Sequence, residues 1–184
     1  MAKSTCPWWL GYLLITPIRR LFQNPSKIIS PYIHAGMTVL EVGPGMGFFT
    51  LDIASKVGKS GKVIAVDVQS KMLDKLKQRA VDAKLSEQIE TRLAQPTSLG
   101  LSDMVGKIDF VFAFAVVHEL PDLNSFWREV SQVLKPGGRL LIAEPSRHVT
   151  SEEFDAELNI ALQNGFIIVE RKEELFAILE KSCK

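Results

Sequence analysis

The chain has 184 residues, 46% of them hydrophobic, with 22 Lys and Arg against 21 Asp and Glu. That is one domain's length of ordinary globular composition, and a net charge of +1 gives no bulk-charge support for nucleic-acid binding. The two cysteines, Cys6 and Cys183, lie near opposite ends and form neither a Cys-x-x-Cys pair nor a metal cluster, which favours a reduced, cytoplasmic setting.

Residues 1–36 contain no Asp or Glu and carry Lys3, Arg19, Arg20 and Lys27. The apolar, aromatic run Trp8–Ile18 is shorter than the ~20 residues of a membrane span. Its positive charges follow the apolar run, the reverse of a signal peptide. Short helices are expected near Trp8–Leu14 and Ile18–Gln23, and a third from Pro25 or Ser26 to about Ile33. This segment reads as an N-terminal helical arm or lid, with residues 37–184 as the main domain. Trp8, Trp9, Tyr12 and Phe22 admit three readings. They pack on the core, line an acceptor pocket, or rest in a membrane interface with Arg19 and Arg20 at the headgroups. The last makes residues 8–22 a candidate peripheral membrane contact.

From Thr38 onward strand and helix alternate. Thr38–Val42 is the first expected strand, followed by a helix from Phe48 to Val57. Lys62–Val66 is the second strand, ending at Asp67, and Ser70 is placed to cap a helix from Lys71 to Ala83. Ile89–Leu93 and Phe110–Ala115 are the third and fourth strands. A helix over Leu123–Leu134 has Asp122 or Asn124 as its cap. Lys135-Pro136-Gly137-Gly138 reads as a turn before a fifth strand, Arg139–Ala143. After a helix at Ser151–Asn164, Phe166–Arg171 and Leu175–Leu179 flank the charged Lys172-Glu173-Glu174. That spacing predicts a hairpin with the last strand antiparallel. The alternation as a whole implies an α/β fold, a doubly wound parallel sheet with helices on both faces.

The most informative stretch is Val39-Leu40-Glu41-Val42-Gly43-Pro44-Gly45-Met46-Gly47, a strand entering a glycine loop. Gly43, Gly45 and Gly47 let the chain turn sharply and a ligand approach the backbone. Asp67, twenty residues after Gly47, ends the second strand, where a carboxylate accepts hydrogen bonds from a ribose diol. A dinucleotide-dependent oxidoreductase shares these features but spaces its glycines G-x-G-x-x-G to receive a pyrophosphate. Here Phe48 stands in the last glycine's place, Pro44 removes one N–H, and Glu41 would repel a pyrophosphate while suiting an ammonium group. A ribose, an adenine and an amino-acid end together describe S-adenosylmethionine.

At this point the chain resembles a known family. From about Thr38 to Leu179 it is similar to class I S-adenosylmethionine-dependent methyltransferases. The resemblance rests on the glycine loop, the acidic end of Val63-Ile64-Ala65-Val66-Asp67, the strand Ile108-Asp109-Phe110-Val111-Phe112-Ala113-Phe114, and Val133-Leu134-Lys135-Pro136-Gly137-Gly138-Arg139-Leu140-Leu141-Ile142. It implies a Rossmann-like seven-stranded sheet of order 3-2-1-4-5-7-6. It also implies that Gly43, Gly45 and Gly47 line the methionine and ribose parts of the donor and that Glu41 holds its amino end. Asp67 would bind the ribose, Val68 would lie against the adenine, and Phe114 would sit near the reactive methyl. Where the family commonly has Gly-Asp-Ala after the third strand, this chain has Ala94-Gln95-Pro96. Gln95 retains an acceptor oxygen for the adenine amino group. The product would be S-adenosylhomocysteine.

The acceptor side is expected at Val117-His118-Glu119-Leu120-Pro121 and at Glu144–His148. His118 is either a general base on an acceptor OH or NH or a packing histidine. A base is required only where the acceptor must lose a proton, because positioning alone supplies much of the catalysis of methyl transfer. His118, Glu144 and His148 fit no metal-ligand spacing, and no metal is expected. The fourth strand is not followed by an Asn-Pro-Pro-Tyr-like motif, which argues against base methylation of nucleic acid, and the cysteine set for arsenic methylation is absent. A small-molecule or lipid-like acceptor remains, in the branch that includes quinone and lipid methyltransferases. A non-catalytic cofactor-binding protein on the same fold is the other alternative.

Overall fold

The computed structural model describes Ile15, residues 23–172 and residues 175–182. The helices expected at Trp8–Leu14 and Ile18–Gln23, the membrane contact at 8–22, both cysteines and Glu173-Glu174 of the hairpin turn lie outside the described residues. Seven strands form one mixed sheet of order β3-β2-β1-β4-β5-β7-β6, as the resemblance implies. Contacts divide the chain into two compact units, residues 5–94 and 95–184.

In the first unit, α1 (Pro25–Ile29) opens with Asn24, whose side chain accepts from the Lys27 N–H. It ends four residues short of the expected Ile33, since Pro31 has no N–H with which to continue the helical bonding. Strands β1 (Thr38–Val42), β2 (Lys62–Asp67) and β3 (Ile89–Leu93) pair in parallel, Leu40 opposite Ile64 and Ile64 opposite Glu90. Val39, Leu40 and Val63–Val66 are buried, as strands covered on both faces require. Helix α2 (Thr50–Val57) buries Thr50, Ile53, Ala54 and Val57, one stripe at helical spacing. It begins at Thr50, not Phe48, because residues 45–49 form turns. Helix α3 (Ser70–Asp82) buries Met72, Leu73, Leu76 and Ala80. Ser70 does not cap it. Gln69 holds that position without a side-chain capping bond, and its N–H donates to Asp67 Oδ1 at 2.9 Å.

In the second unit, β4 (Ile108–Phe114) and β5 (Leu134–Ala143) are parallel. The expected Lys135–Gly138 turn is part of β5. Ile108 pairs with Leu134 and Phe110 with Arg139, so the four residues between them form an irregular excursion within the strand. Helix α4 (Leu123–Val133) is capped by Asp122, whose carboxylate accepts from the Ser125 N–H, and it buries Trp127 completely. A capping box opens α5 (Ser151–Gln163). Thr150 Oγ1 accepts from the Glu153 N–H at 3.2 Å, and Glu153 Oε2 accepts from the Thr150 N–H at 2.9 Å. β6 (Phe166–Lys172) and β7 (Phe176–Lys181) form the predicted hairpin, and β7 lies antiparallel to both β5 and β6. β6 leaves Ile167, Ile168 and Val169 exposed.

Candidate active site

Two clusters of chemically capable residues stand at the carboxyl ends of parallel strands, where open α/β sheets bind ligands. The first belongs to residues 5–94. Gly43, Gly45 and Gly47 all have positive φ, at 67°, 55° and 84°. Their environments differ. A Cβ added at Gly45 would meet nothing within 4 Å, whereas one at Gly47 would overlap Leu76 Cδ1. Arg79 on the same helix donates from Nη1 to the Met46 carbonyl. The loop thus leans on α3 through Met46 and Gly47 and presents open space at Gly45. Leu76 and Arg79 belong to no motif of the sequence. Their spacing along one helix face was the available signal.

Asp67 is held in this loop. Its Oδ2 accepts from the Gly45 N–H at 3.2 Å and its Oδ1 from the Gln69 N–H. A carboxylate offers about four acceptor sites, so room remains for a ligand hydroxyl. Burial pushes its carboxyl above the ordinary range, and the backbone bonds from Gln69, Gly45 and Val68 hold that rise back. Val68 beside it is 40% exposed.

Glu41 is 2% exposed, and its Oε2 has no hydrogen-bond partner among the described residues. Burial pushes its carboxyl up to about 8. The Thr50 hydroxyl offsets part of this rise without reaching normal hydrogen-bond geometry, and the charge of Asp67 adds to it. No cation among the described residues pairs with Glu41, and an ammonium group would satisfy such a buried oxygen. These residues therefore fit an amino-acid nucleoside: open backbone at Gly45, a ribose-competent carboxylate at Asp67 and an unsatisfied acid at Glu41.

The second cluster belongs to residues 95–184. After Phe114, whose ring stacks on Phe112 at 6.0 Å, Ala115 adopts φ +56° and its N–H donates to the Ala143 carbonyl at 2.7 Å. A left-handed alanine is strained, and such strain collects at functional sites. It directs Val117–Glu119, a single 3-10 turn, onto Glu144. Glu144 is buried at the end of β5. Its Oε1 accepts from the N–H groups of Val117 (2.8 Å) and His118 (3.3 Å), and its Oε2 lies 2.5 Å from His118 Nδ1. The ring of the exposed His148 stacks on His118 at 5.6 Å. The Glu144 bond raises the His118 pKa above 6.5, burial lowers it, and the charges of Glu144, Glu119 and Glu157 raise it further. Gln95 stands apart from this cluster in a tight turn closed by backbone bonds with Ser98, and its side chain is exposed. Among the described residues no group of three or more His, Cys, Asp or Glu is placed to hold a metal ion. Among them, too, no helix is long and apolar enough to cross a membrane.

Residues 33–184 match the family model described as a methyltransferase domain. The chain is 29% identical over 175 residues to a ubiquinone/menaquinone biosynthesis C-methyltransferase of Hahella chejuensis, covering 94% of this chain and 69% of that one. It is 34% identical over 113 residues to a demethylmenaquinone methyltransferase of Lactococcus lactis, covering 60% of this chain and 43% of that one. Among solved structures, a SAM-dependent methyltransferase from Aquifex aeolicus superposes with a TM-score of 0.84 at 26% identity, over 96% of this chain and 98% of that one.

Proposed function

The chain belongs to the methyltransferase domain family, and from that premise we propose that it moves a methyl group from S-adenosylmethionine to a small quinone-type ring. The observation that carries the donor assignment is the buried Glu41 with its unpartnered oxygen, beside Asp67 in the glycine loop. Glu41 holds the donor's ammonium group. The backbone of Gly43 and Gly45 passes along its methionine and ribose, and Asp67 accepts from the ribose hydroxyls. Val68 offers an apolar face to the adenine. The bound donor supplies an electrophilic methyl on a positive sulfur.

The acceptor class is supported by the relatives, two of which carry quinone methylation in their names. Residues 1–36 contain no acidic side chain and include Trp8, Trp9 and Tyr12, a composition suited to an apolar acceptor. Two measurements test the proposal. Isothermal titration is expected to give saturable binding of S-adenosylmethionine and none of NADH; the reverse would make the protein an oxidoreductase. Incubation with tritiated donor and chemically reduced demethylmenaquinone is expected to label the ring. Tight donor binding with nothing labelled, in this assay or in a fractionated cell extract, would make the protein a non-catalytic binder.

A further inference from the structure

The contact between His118 and Glu144 says what kind of acceptor the second cluster is built for. Methyl transfer to a tertiary amine or a thioether needs no base, because the acceptor already carries its electron pair. Transfer to a hydroxyl, or to a ring carbon beside one, leaves a proton to be removed. A histidine that only packs needs no buried carboxylate 2.5 Å from its ring, and burying one is unfavourable unless it is well bonded. Glu144 is well bonded. Two N–H groups of the turn that carries His118 hold Oε1, which leaves Oε2 to meet the ring.

We infer that Glu144 is the positioning residue for His118, and that the pair selects acceptors which give up a proton when they are methylated. The inference rests on the methyl-transfer reading above. The Nδ1–H donates to Glu144, so the neutral ring carries its lone pair on Nε2. Among the described residues no hydrogen bond is recorded at that nitrogen, and the His118 side chain keeps 16% of its surface open. The groups acting on the ring are Glu144 from the end of β5, Glu119 from its own turn, Glu157 from α5 and the stacked His148. Three carboxylates around one imidazole favour the imidazolium that forms once it takes a proton.

For a quinol the balance is as follows. Nε2 takes the hydroxyl proton, and the released pair moves through the ring to form the carbon–methyl bond beside that oxygen. The methyl–sulfur pair stays on sulfur, leaving a neutral thioether. The ring carbon sheds its hydrogen as a proton, the oxygen regains one, and one proton is released overall. His118 returns its proton to solvent.

The full chain, labelled with nitrogen-15 in its histidines, tests the inference without an acceptor. Long-range proton–nitrogen spectra are expected to show the neutral His118 protonated on Nδ1. In Glu144→Gln, which keeps an oxygen for the Val117 and His118 N–H groups, the His118 pKa is expected to fall. A neutral ring protonated on Nε2, or an unmoved pKa, overturns the pairing. With reduced demethylmenaquinone as probe, His118→Gln is expected to lower kcat about 100-fold or more with KM for the donor little changed. Glu144→Gln is expected to shift the rising limb of the pH–rate profile to lower pH. Full turnover in His118→Gln overturns the base assignment. A wild-type protein that binds donor but leaves the probe unmethylated removes the quinol acceptor, and the spectra alone then decide the pairing.

Discussion

A Cβ at Gly47 would occupy the place of Leu76 Cδ1, whereas one at Gly45, two residues earlier, would stand in open space. The two glycines share a left-handed backbone and differ in what surrounds them. Leu76 is fully buried, so any shift of its side chain disturbs the packing around it.

Gly47→Ala is therefore expected to destabilise the protein by about 2–4 kcal/mol, combining overpacking with left-handed strain. Gly45→Ala carries only the strain, about 1–2 kcal/mol, and puts a methyl group where the donor would lie. Urea unfolding should rank Gly47→Ala as the less stable variant. Donor titration should find the affinity of Gly45→Ala reduced beyond what its small loss of stability explains.

Glu41 makes stability depend on pH. Its folded pKa of about 8 lies above the 4.5 of a free carboxyl. The folded state thus holds a proton that the unfolded state has already released. Stability is highest below pH ~4.5 with respect to this group and declines as pH rises to about 8, by a few kcal/mol. Urea unfolding across this window should show the decline, and Glu41→Gln should flatten it and be the more stable protein at the alkaline end. A slope that persists in Glu41→Gln would assign it to other groups.

The same proton reports on the donor. An ammonium group beside Glu41 favours its ionised form, so binding near neutral pH should release a proton. Titrations in buffers of different ionisation enthalpy should give heats that change with the buffer, and Glu41→Gln should abolish the dependence.

Asp67→Ala removes the acceptor for the Gly45 N–H together with both oxygens offered to the ribose. Donor affinity should fall about 10–100-fold, the loss expected for one or two hydrogen bonds to a charged group. Calorimetry measures it directly, and near-native affinity would move the ribose elsewhere.

Thr150→Ala removes one half of the capping box on α5. The expected loss is about 1 kcal/mol, read from urea unfolding. Because α5 carries Glu157, the His118 pKa in this variant also tests whether helix position matters at the second cluster.

Strand placement was legible in β1 and β2 because buried parallel strands are largely apolar runs, and β1, β2 and the more polar β3 differ from the expectation by at most one residue. Caps were harder to read. Ser70 has the right chemistry for one, but the helix begins one residue earlier than expected, so Gln69 holds the cap position and its carbonyl accepts from the Met72 and Leu73 N–H groups, an outcome that residue type does not reveal. The Lys135–Gly138 stretch has turn composition, yet pairing on either side of it keeps it within β5. In the site, Glu41, Asp67 and His118 stood out as charged or polar residues at strand ends. The bond between His118 and Glu144 spans 26 residues and depends on the left-handed Ala115, which no local pattern encodes. The three glycines looked alike because what separates Gly47 from Gly45 is a leucine on another helix.

The position of β7 has a consequence for how the chain reaches this fold. It is the last of the seven strands to leave a ribosome, yet it lies between β5 and β6 and not at the rim. β6, with its exposed Ile167, Ile168 and Val169, emerges first and has no strand partner until β7 follows. For that interval the nascent chain displays two unpaired β-edges, at β5 and at β6. Completing the sheet thus waits for β7, and that interval is when chaperones and neighbouring nascent chains compete for those strands.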